Sequence, residues 1–273
     1  MTGARALETG FAAVEETELY YEVAGTGHPL VLIHGGLVDS RMWDEQFGLF
    51  ARHYRVVRYD ARGFGRSPLP ATPYSNVRDL RGLLHALRIE RAHVLGLSLG
   101  GAIAIEFASA HADMVGALVL VAASLRGYAL PDDERTVEQF GRFTAAVASD
   151  DHPRAIEAIL GLWVDGTIAP AARAVRQRMR DLLAGYSFAH FAASAPREDL
   201  PAQPSLDRLA AIRAPTLVVV GDQDRGSLQT IATLLTREIH GARQVVIPGA
   251  GHMVNLDRPE AFADAALDFL AGL

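Results

Sequence analysis

Residues 92–110, AHVLGLSLGGAIAIEFASA, give the strongest indication of the fold. Its first part, Ala92–Leu97, is a short apolar run with little polar alternation, which is typical of a strand covered on both faces of a parallel sheet. Its last part, Ala102–Ala110, is almost wholly apolar, as expected for a helix packed within a sheet layer. A glycine-rich turn joins the two parts. The stretch therefore predicts a strand–turn–helix unit of an α/β protein.

Several further apolar runs along the chain have the same character as this first strand. The weakest is Tyr54–Tyr59, because Arg55 and Arg58 interrupt it. Helical patterns lie between the runs, for example after Ser75, a predicted N-cap, and from Pro259, a favourable first-turn residue. This alternation predicts an α/β fold, with a mostly parallel open sheet, right-handed crossovers and helices on both faces. The further runs are Leu30–Ile33, Tyr54–Tyr59, Leu118–Ala122, Thr216–Val220 and Gln244–Ile247.

The middle of the chain breaks this alternation, because it contains no good buried strand. We expect residues 124–206 to form a helical lid inserted into a core domain made of residues 1–123 and 207–273. A proline-rich exit closes the insertion. Three helix-like patterns precede that exit, and they cover Val137–Ala148, Pro153–Leu162 and Ala171–Leu183.

The third of these patterns carries four arginines, and two interpretations are open. The arginines are either an anion-binding cluster or a solvated helix face paired with Asp181 or Glu157. We favour the second interpretation, because runs of charge on a helix are usually solvated faces. The four residues are Arg173, Arg176, Arg178 and Arg180.

Composition and charge exclude several classes of function. The chain has 26 basic and 32 acidic residues and a net charge of −6, so nucleic acid and anionic membranes are poor candidates as partners. It has no cysteine, which excludes a disulfide scaffold, a thiolate metal site and a cysteine nucleophile. Four glutamates interrupt the N-terminal region, and no run reaches the roughly 18 apolar residues of a membrane span. We therefore expect a cytoplasmic protein with a small-molecule substrate, as a monomer or homodimer.

The turn at residues 96–100 reads Gly-Leu-Ser-Leu-Gly and fits the G-x-S-x-G pattern in its required place between strand and helix. Glycines beside Ser98 remove Cβ atoms that would clash in so tight a turn. The helix N-terminus and the Leu99 N–H would favour an oxyanion at this point. A phosphate-binding loop is the alternative. It is not supported, because a dinucleotide fingerprint needs glycine in place of Ser98 and a P-loop needs Lys-Ser or Lys-Thr after the last glycine.

Two further polar residues follow the ends of predicted strands. Asp224 comes just after Thr216–Val220, and His252 comes after Gln244–Ile247. Either residue alone would more often be structural. Together with Ser98 they lie where the carboxyl ends of parallel strands gather reacting groups, and their chain order is that of an elbow-type triad. Asp222, two residues before Asp224, is the second candidate for the acid.

A glycine-rich loop, His34-Gly35-Gly36, follows the first buried strand. A backbone amide of this loop can supply the second oxyanion donor, and Gly36 is the best candidate. His34 is either a second base or a residue that holds the loop by hydrogen bonds. We favour the structural role, because the triad already supplies a base.

These motifs together resemble the α/β-hydrolase superfamily, in its lid-bearing esterase, lactonase and carbon–carbon hydrolase branch. The similar segments are LYYEVAGTGHPLVLIHGG, YDARGFGRS, LGLSLGG, APTLVVVGDQD and PGAGHMVNLDRPEAF, so that only residues 124–206 lack a match. The resemblance implies Ser98 as nucleophile, His252 as base and Asp224 as acid, with the amides of Gly36 and Leu99 as oxyanion donors. It implies no cofactor and no metal. It also implies a structural role for a loop that contains Asp60, Arg62, Gly63, Gly65 and Ser67.

The serine nucleophile separates this chain from the haloalkane dehalogenases and soluble epoxide hydrolases, which resemble the pattern but use an aspartate. The chain also lacks the longer S-x-G-P-G pattern of ring-cleavage-product hydrolases, which weighs against that carbon–carbon chemistry. The expected reaction is therefore hydrolysis of a carboxylic ester or lactone of a small to medium, mainly apolar substrate. Two alternatives remain, namely carbon–carbon cleavage or perhydrolysis with the same triad, and a hydrolase-fold receptor that binds a ligand with little turnover.

The pocket is expected at the junction of lid and sheet. For Trp43 and Trp163, a position in the hydrophobic core is at least as good an explanation as a position in the pocket. A tryptophan is largely buried in either place. The predicted substrate-binding residues are Leu37, Trp43, Leu125, Trp163 and Met253.

Overall fold

A computed structural model gives the structure of the chain over residues 7–128, 130, 133–165, 172–191 and 195–273. Its centre is an eight-stranded sheet in the order β1-β2-β4-β3-β5-β6-β7-β8. The strands are β1 (Glu8–Val14), β2 (Thr17–Ala24), β3 (Pro29–Ile33), β4 (Arg55–Tyr59), β5 (Ala92–Leu97), β6 (Val115–Val121), β7 (Thr216–Gly221) and β8 (Arg243–Ile247).

The six strands from β3 to β8 are parallel, which confirms the predicted α/β fold with a mostly parallel sheet. Each of the apolar runs found in the sequence forms one of these strands. β3 pairs with β5 so that Ile33 lies opposite Gly96, and this register brings the His34 loop beside the turn after β5. β1 and β2 were not foreseen. They form an antiparallel hairpin that pairs with β4, with Tyr21 opposite Tyr59.

Helices pack against this sheet in two groups. The helix α1 packs with α9, and α2 packs with α3. The predicted caps are present, because the Ser75 side chain accepts a hydrogen bond from the Arg78 N–H and α9 begins at Pro259. The helices are α1 (Asp44–Phe50), α2 (Asn76–Ala86), α3 (Leu99–Ala110), α4 (Glu134–Ala148), α5 (His152–Ile159), α6 (Arg173–Leu183), α7 (Gly226–Glu238), α8 (Val254–Asp257) and α9 (Pro259–Ala271).

The segment between β6 and β7 contains α4, α5 and α6, and its described residues add no strand to the sheet. A π-helical turn, Leu160–Val164, follows α5 directly. The first residue of the third helical pattern, Ala171, lies outside the described residues. The division of the chain into a core and a lid at residues 124 and 206 stays a prediction.

The arginines of α6 form ion pairs along the helix. Arg176 and Arg180 both pair with Glu157 of α5, at 3.3 and 2.6 Å. Arg178 pairs with Asp44 of α1. Arg176 also pairs with Asp165 at 3.0 Å, so three carboxylates face the three guanidinium groups. This arrangement is that of an ion-paired helix face and not of an anion site. The pair of Arg178 with Asp44 also connects α6 to α1.

In the described part of the chain, no helix is both long and apolar enough to span a bilayer.

A histidine pair lies at the beginning of the sheet strands, and it makes stability depend on pH. The rings of His28 and His93 are 4.2 Å apart. Burial, the charge on His28 and the charge on Arg91 lower the pKa of His93 from 6.5 to about 4. The unfolded chain therefore binds a proton near pH 6.5, whereas the folded chain resists protonation down to about pH 4.

Stability is accordingly expected to fall as the pH drops through this window, by about 1–3 kcal/mol for this group. Urea unfolding at several pH values between about 7.5 and about 4 would give the free energy of unfolding across this window. We expect His93→Gln to show a smaller loss than the wild type, whereas the exposed His240→Gln should follow the wild type. An equal pH dependence in all three proteins would contradict the assignment to His93.

Candidate active site

Ser98 lies in a strained turn between β5 and α3. Its φ and ψ are 54° and −110°, a backbone conformation that costs a non-glycine residue about 1–3 kcal/mol. The flanking glycines make this turn feasible, because a Cβ on Gly96 would lie 2.2 Å from the Gly100 carbonyl oxygen. A Cβ on Gly100 would in turn lie 2.3 Å from the carbonyl oxygen of Ile33. The closeness of the turn therefore selects glycine at position 96, and its packing against the end of β3 selects glycine at position 100.

The loop after β3 lies beside this turn, and both line one cavity. Gly36 and Leu99 both line the cavity together with Ser98, and a Cβ on Gly36 would be 3.8 Å from the Leu99 Cβ. Leu99 is the first residue of α3, where backbone N–H groups lack partners within the helix. The structure therefore brings the two predicted oxyanion donors to the same side of the cavity as Ser98.

His252 and Asp224 form a buried pair at the ends of β8 and β7. The distance from His252 Nδ1 to Asp224 Oδ2 is 3.1 Å, and the two side chains are only 6% and 1% exposed. The other carboxylate oxygen of Asp224 accepts a hydrogen bond from the Arg225 N–H at 2.8 Å. Asp222 points to a different partner. It is exposed, and its Oδ1 accepts a hydrogen bond from the Gly249 N–H at 2.7 Å.

Both ring nitrogens of His34 form hydrogen bonds, one within the loop that carries the residue and one to the loop after β4. Its Nε2 accepts a hydrogen bond from the Ala61 N–H at 2.9 Å, so the ring proton is on Nδ1, which donates to the Gly35 carbonyl oxygen at 2.7 Å. The side chain is completely buried. This arrangement is that of a residue that holds the loop, and it leaves no ring nitrogen for a reacting group.

The loop after β4 is also held by hydrogen bonds. Asp60 accepts hydrogen bonds from the backbone N–H groups of Ser40 and Arg66, and the Ser67 hydroxyl donates to the Asp60 carbonyl oxygen. Arg62 forms a buried ion pair with Asp79 of α2. These contacts connect the loop to the rest of the sheet domain, and they are those of a structural element.

The cavity that contains Ser98 and His252 has a volume of about 380 Å³ and a mainly apolar lining. Three of the predicted pocket residues, Leu37, Trp163 and Met253, line it. Trp43 and Leu125 do not. Trp43 is completely buried and stacks on Phe262 with ring centroids 6.1 Å apart, and Leu125 is buried in the hydrophobic core.

Trp163 covers the imidazole of His252. Their ring centroids are 4.8 Å apart, and the Arg225 guanidinium lies 4.1 Å from the centroid of the Trp163 ring. Trp163 belongs to the π-helical turn after α5, a local structure often found at functional sites. The segment between β6 and β7 thus places an aromatic ring on the candidate base and excludes water from that side.

Most of the remaining lining residues are not among those predicted from the sequence. Phe64 and His190 stack with ring centroids 4.6 Å apart, and burial lowers the pKa of His190. The ring of Tyr186 also stacks on Phe64, with centroids 5.6 Å apart, and burial raises the pKa of Tyr186. No local pattern marks such residues, because loops distant in sequence bring them together. The further polar lining residues that were missed are Tyr74, Asn76, Ser124, Arg126 and Glu198.

Among the described residues, no group of three or more His, Cys, Asp or Glu side chains has an arrangement that could hold a metal ion. The absence of a metal and of a cofactor stays a prediction.

A strained serine after β5, with an acid and a histidine after β7 and β8, is the arrangement that defines hydrolases with a nucleophile elbow. Comparison with known proteins agrees with that class. The family model described as "Alpha/beta hydrolase family" matches residues 30–265, and the chain belongs to this family of hydrolases.

The chain is also similar along most of its length to several known proteins. It is 29% identical to the 2-hydroxy-6-oxononadienedioate/2-hydroxy-6-oxononatrienedioate hydrolase of Paraburkholderia xenovorans, over 94% of this chain and 91% of that one. The enol-lactonase from Burkholderia xenovorans is 28% identical, with a TM-score of 0.81 and coverage of 96% and 100%. A thermophilic esterase from Thermogutta terrifontis is 27% identical, with a TM-score of 0.77 and coverage of 97% and 98%.

Proposed function

We propose that this hydrolase cleaves a carboxylic ester or lactone of a small to medium, mainly apolar substrate through an acyl-enzyme on Ser98. The observation that carries the proposal is the buried contact between His252 Nδ1 and Asp224, at 3.1 Å, in a site where Ser98 and His252 line one cavity. This contact leaves Nε2 of the imidazole as the nitrogen that acts on Ser98.

The reaction begins when His252 Nε2 takes the proton of the Ser98 hydroxyl and Ser98 Oγ attacks the carbonyl carbon. Asp224 holds the imidazole in the tautomer with a proton on Nδ1 and stabilises the imidazolium that forms. The amides of Gly36 and Leu99 donate hydrogen bonds to the oxyanion, at the positively charged end of the α3 dipole. His252 then gives its proton to the leaving alcohol, and a water activated by the same histidine cleaves the acyl-enzyme.

Burial of the site strengthens these electrostatic interactions. Asp224 and His252 are almost fully inaccessible to solvent, and Trp163 covers the imidazole. Charges interact more strongly when water is excluded, so the oxyanion and the imidazolium gain more from their partners than they would at an exposed site.

The similar proteins support an ester or lactone as substrate, since they include an enol-lactonase and an esterase. The apolar lining and the volume of about 380 Å³ support a small to medium substrate. The Paraburkholderia relative favours a second candidate, in which the same residues cleave a carbon–carbon bond. Product analysis with a vinylogous diketone would detect that reaction, and incubation of an ester with hydrogen peroxide would detect perhydrolysis.

The cavity predicts a size preference among acyl groups. In a series of 4-nitrophenyl esters from acetate to octanoate, kcat/KM is expected to rise at first, since each buried methylene contributes about 0.8 kcal/mol. It should then fall when the chain exceeds the space beside Ser98. Initial rates of 4-nitrophenolate release would give the profile. A flat profile would contradict a size-selective apolar pocket, and the absence of any turnover would contradict the proposed function itself.

A further inference from the structure

One side of the active-site cavity is polar, although most of its lining is apolar. Four residues form this polar wall, namely Tyr74, Asn76, Arg126 and Glu198. They come from the segment before α2 and the first residue of that helix, from the segment after β6 and from the segment before β7. None of them takes part in the mechanism proposed above.

Backbone pairing fixes the polar wall in place. Residues Tyr74 and Glu198 form a parallel β-bridge, and the Asp199 N–H donates to the Tyr74 carbonyl oxygen at 2.6 Å. The Arg126 Nη1 atom lies 2.6 Å from Glu198 Oε1, and the Asn76 N–H donates to the same oxygen at 3.4 Å. The wall is therefore built by contacts between the sheet domain and both ends of the inserted segment.

The ion pair in this wall is largely shielded from water. The side chains of Arg126 and Glu198 are 13% and 15% exposed. Such a pair is weak evidence for stability, because apolar side chains of similar volume often stabilise a fold at least as well. Its two charges cancel, so the wall presents strong hydrogen-bonding groups without a net charge.

Asn76 supplies the independent evidence for a ligand. The residue is only 3% exposed and lines the cavity, yet within the described part of the chain its carboxamide makes no hydrogen bond. Its carboxamide is thus available to a ligand group or a water in the cavity. Tyr74 adds a phenol whose pKa is raised to about 12, mainly by burial and then by Glu198, so this hydroxyl remains a hydrogen-bond donor at neutral pH.

We propose that the polar wall is a subsite for an uncharged hydrogen-bonding group, such as a ketone or amide carbonyl, that the substrate carries in addition to its scissile ester or lactone. This inference rests on the proposed function and narrows its substrate class. An apolar group against the wall would leave Asn76 unpaired. A carboxylate would meet Glu198, which already neutralises Arg126.

Matched esters test the subsite on both sides of the scissile bond. The alcohol series is 3-oxobutyl, 3-methylbutyl and 2-carboxyethyl butyrate, in which an acetyl, an isopropyl and a carboxylate group of similar shape are compared. The acyl series is the 4-nitrophenyl ester of 4-oxopentanoate, of 4-methylpentanoate and of succinate. In at least one series we expect kcat/KM for the ketone to exceed that for each of the other two esters by roughly tenfold.

Variants then assign the preference to the wall. Asn76→Leu should reduce the ketone preference to about twofold or less, while hydrolysis of the methyl-branched ester continues. Replacement of both charges, in Arg126→Met/Glu198→Met, should also reduce it, without leaving a charge unpaired. Met179→Leu changes another lining side chain but removes no hydrogen bond, so it should keep the wild-type ratio.

Several outcomes would overturn this inference. They are equal rates for the three esters in both series, a preference for the carboxylate, and a ketone preference that survives in both wall variants. Circular dichroism of each variant would show whether it is folded, and the double variant provides the test if Asn76→Leu is not. A wild-type protein that hydrolyses none of the esters would instead refute the proposed function.

Discussion

Replacement of Ser98 by Ala is expected to lower kcat/KM for 4-nitrophenyl esters by at least about 10⁴-fold. The substitution removes the oxygen proposed to form the acyl-enzyme, and the proposed oxyanion donors, the amides of Gly36 and Leu99, would remain to give only residual catalysis. The fold should persist, because alanine keeps the Cβ that this turn already accommodates at a φ of 54°. Initial rates with 4-nitrophenyl acetate and circular dichroism of the variant would measure both effects.

Ser124 provides a matched control for this experiment. It is a second serine in the cavity lining, and its N–H donates to the Ser98 carbonyl oxygen at 3.1 Å. Ser124→Ala should therefore retain turnover and should react with a fluorophosphonate as the wild type does, whereas Ser98→Ala should not react. Intact-mass spectrometry would count the phosphonyl groups. Wild-type turnover in Ser98→Ala would refute the mechanism, and an unlabelled wild type would favour the ligand-binding receptor over an enzyme.

Much of the fold was predictable because buried parallel strands leave continuous apolar runs in the sequence. All six such runs form strands of the sheet, including Tyr54–Tyr59 with its two arginines. Arg58 is compatible with a buried strand because Glu22 of β2 pairs with it at 2.6 Å. That pairing also explains why β1 and β2 were missed. Their antiparallel hairpin contains charged residues whose partners lie on other strands, and no local pattern reveals such partners.

The pocket was less predictable than the sheet. The two tryptophans illustrate this, because Trp43 stacks on Phe262 in the core whereas Trp163 lies against His252. Their sequence surroundings do not distinguish these environments, which depend on where an inserted segment packs on the sheet. The same holds for Asn76, whose position at the beginning of α2 indicates a helix end and gives no sign of a cavity.

The sequence leaves both Asp224 and Asp222 as candidates for the acid, and the structure places Asp224 in contact with His252 and Asp222 in contact with the Gly249 N–H. This difference leads to a second prediction with a large expected effect on kcat. Asp224→Asn is expected to lower kcat by about 10³–10⁴-fold, because an amide in place of the carboxylate neither selects the required tautomer of His252 nor stabilises its imidazolium. Asp222→Asn should leave kcat within about twofold, because an exposed surface position away from His252 contributes little. The Asn side-chain oxygen can still accept the hydrogen bond from the Gly249 N–H.

The two substitutions are chemically identical and only two positions apart, so differences in handling or in overall charge cannot explain a selective loss. Steady-state kinetics with 4-nitrophenyl esters would give kcat for both variants, and thermal unfolding would show whether either fold is damaged. If Asp222→Asn lost as much activity as Asp224→Asn in folded protein, the acid would not be assigned by its 3.1 Å contact with His252. If Asp224→Asn alone lost activity, the carboxylate that touches Nδ1 would be the one that orients the base, as the mechanism requires.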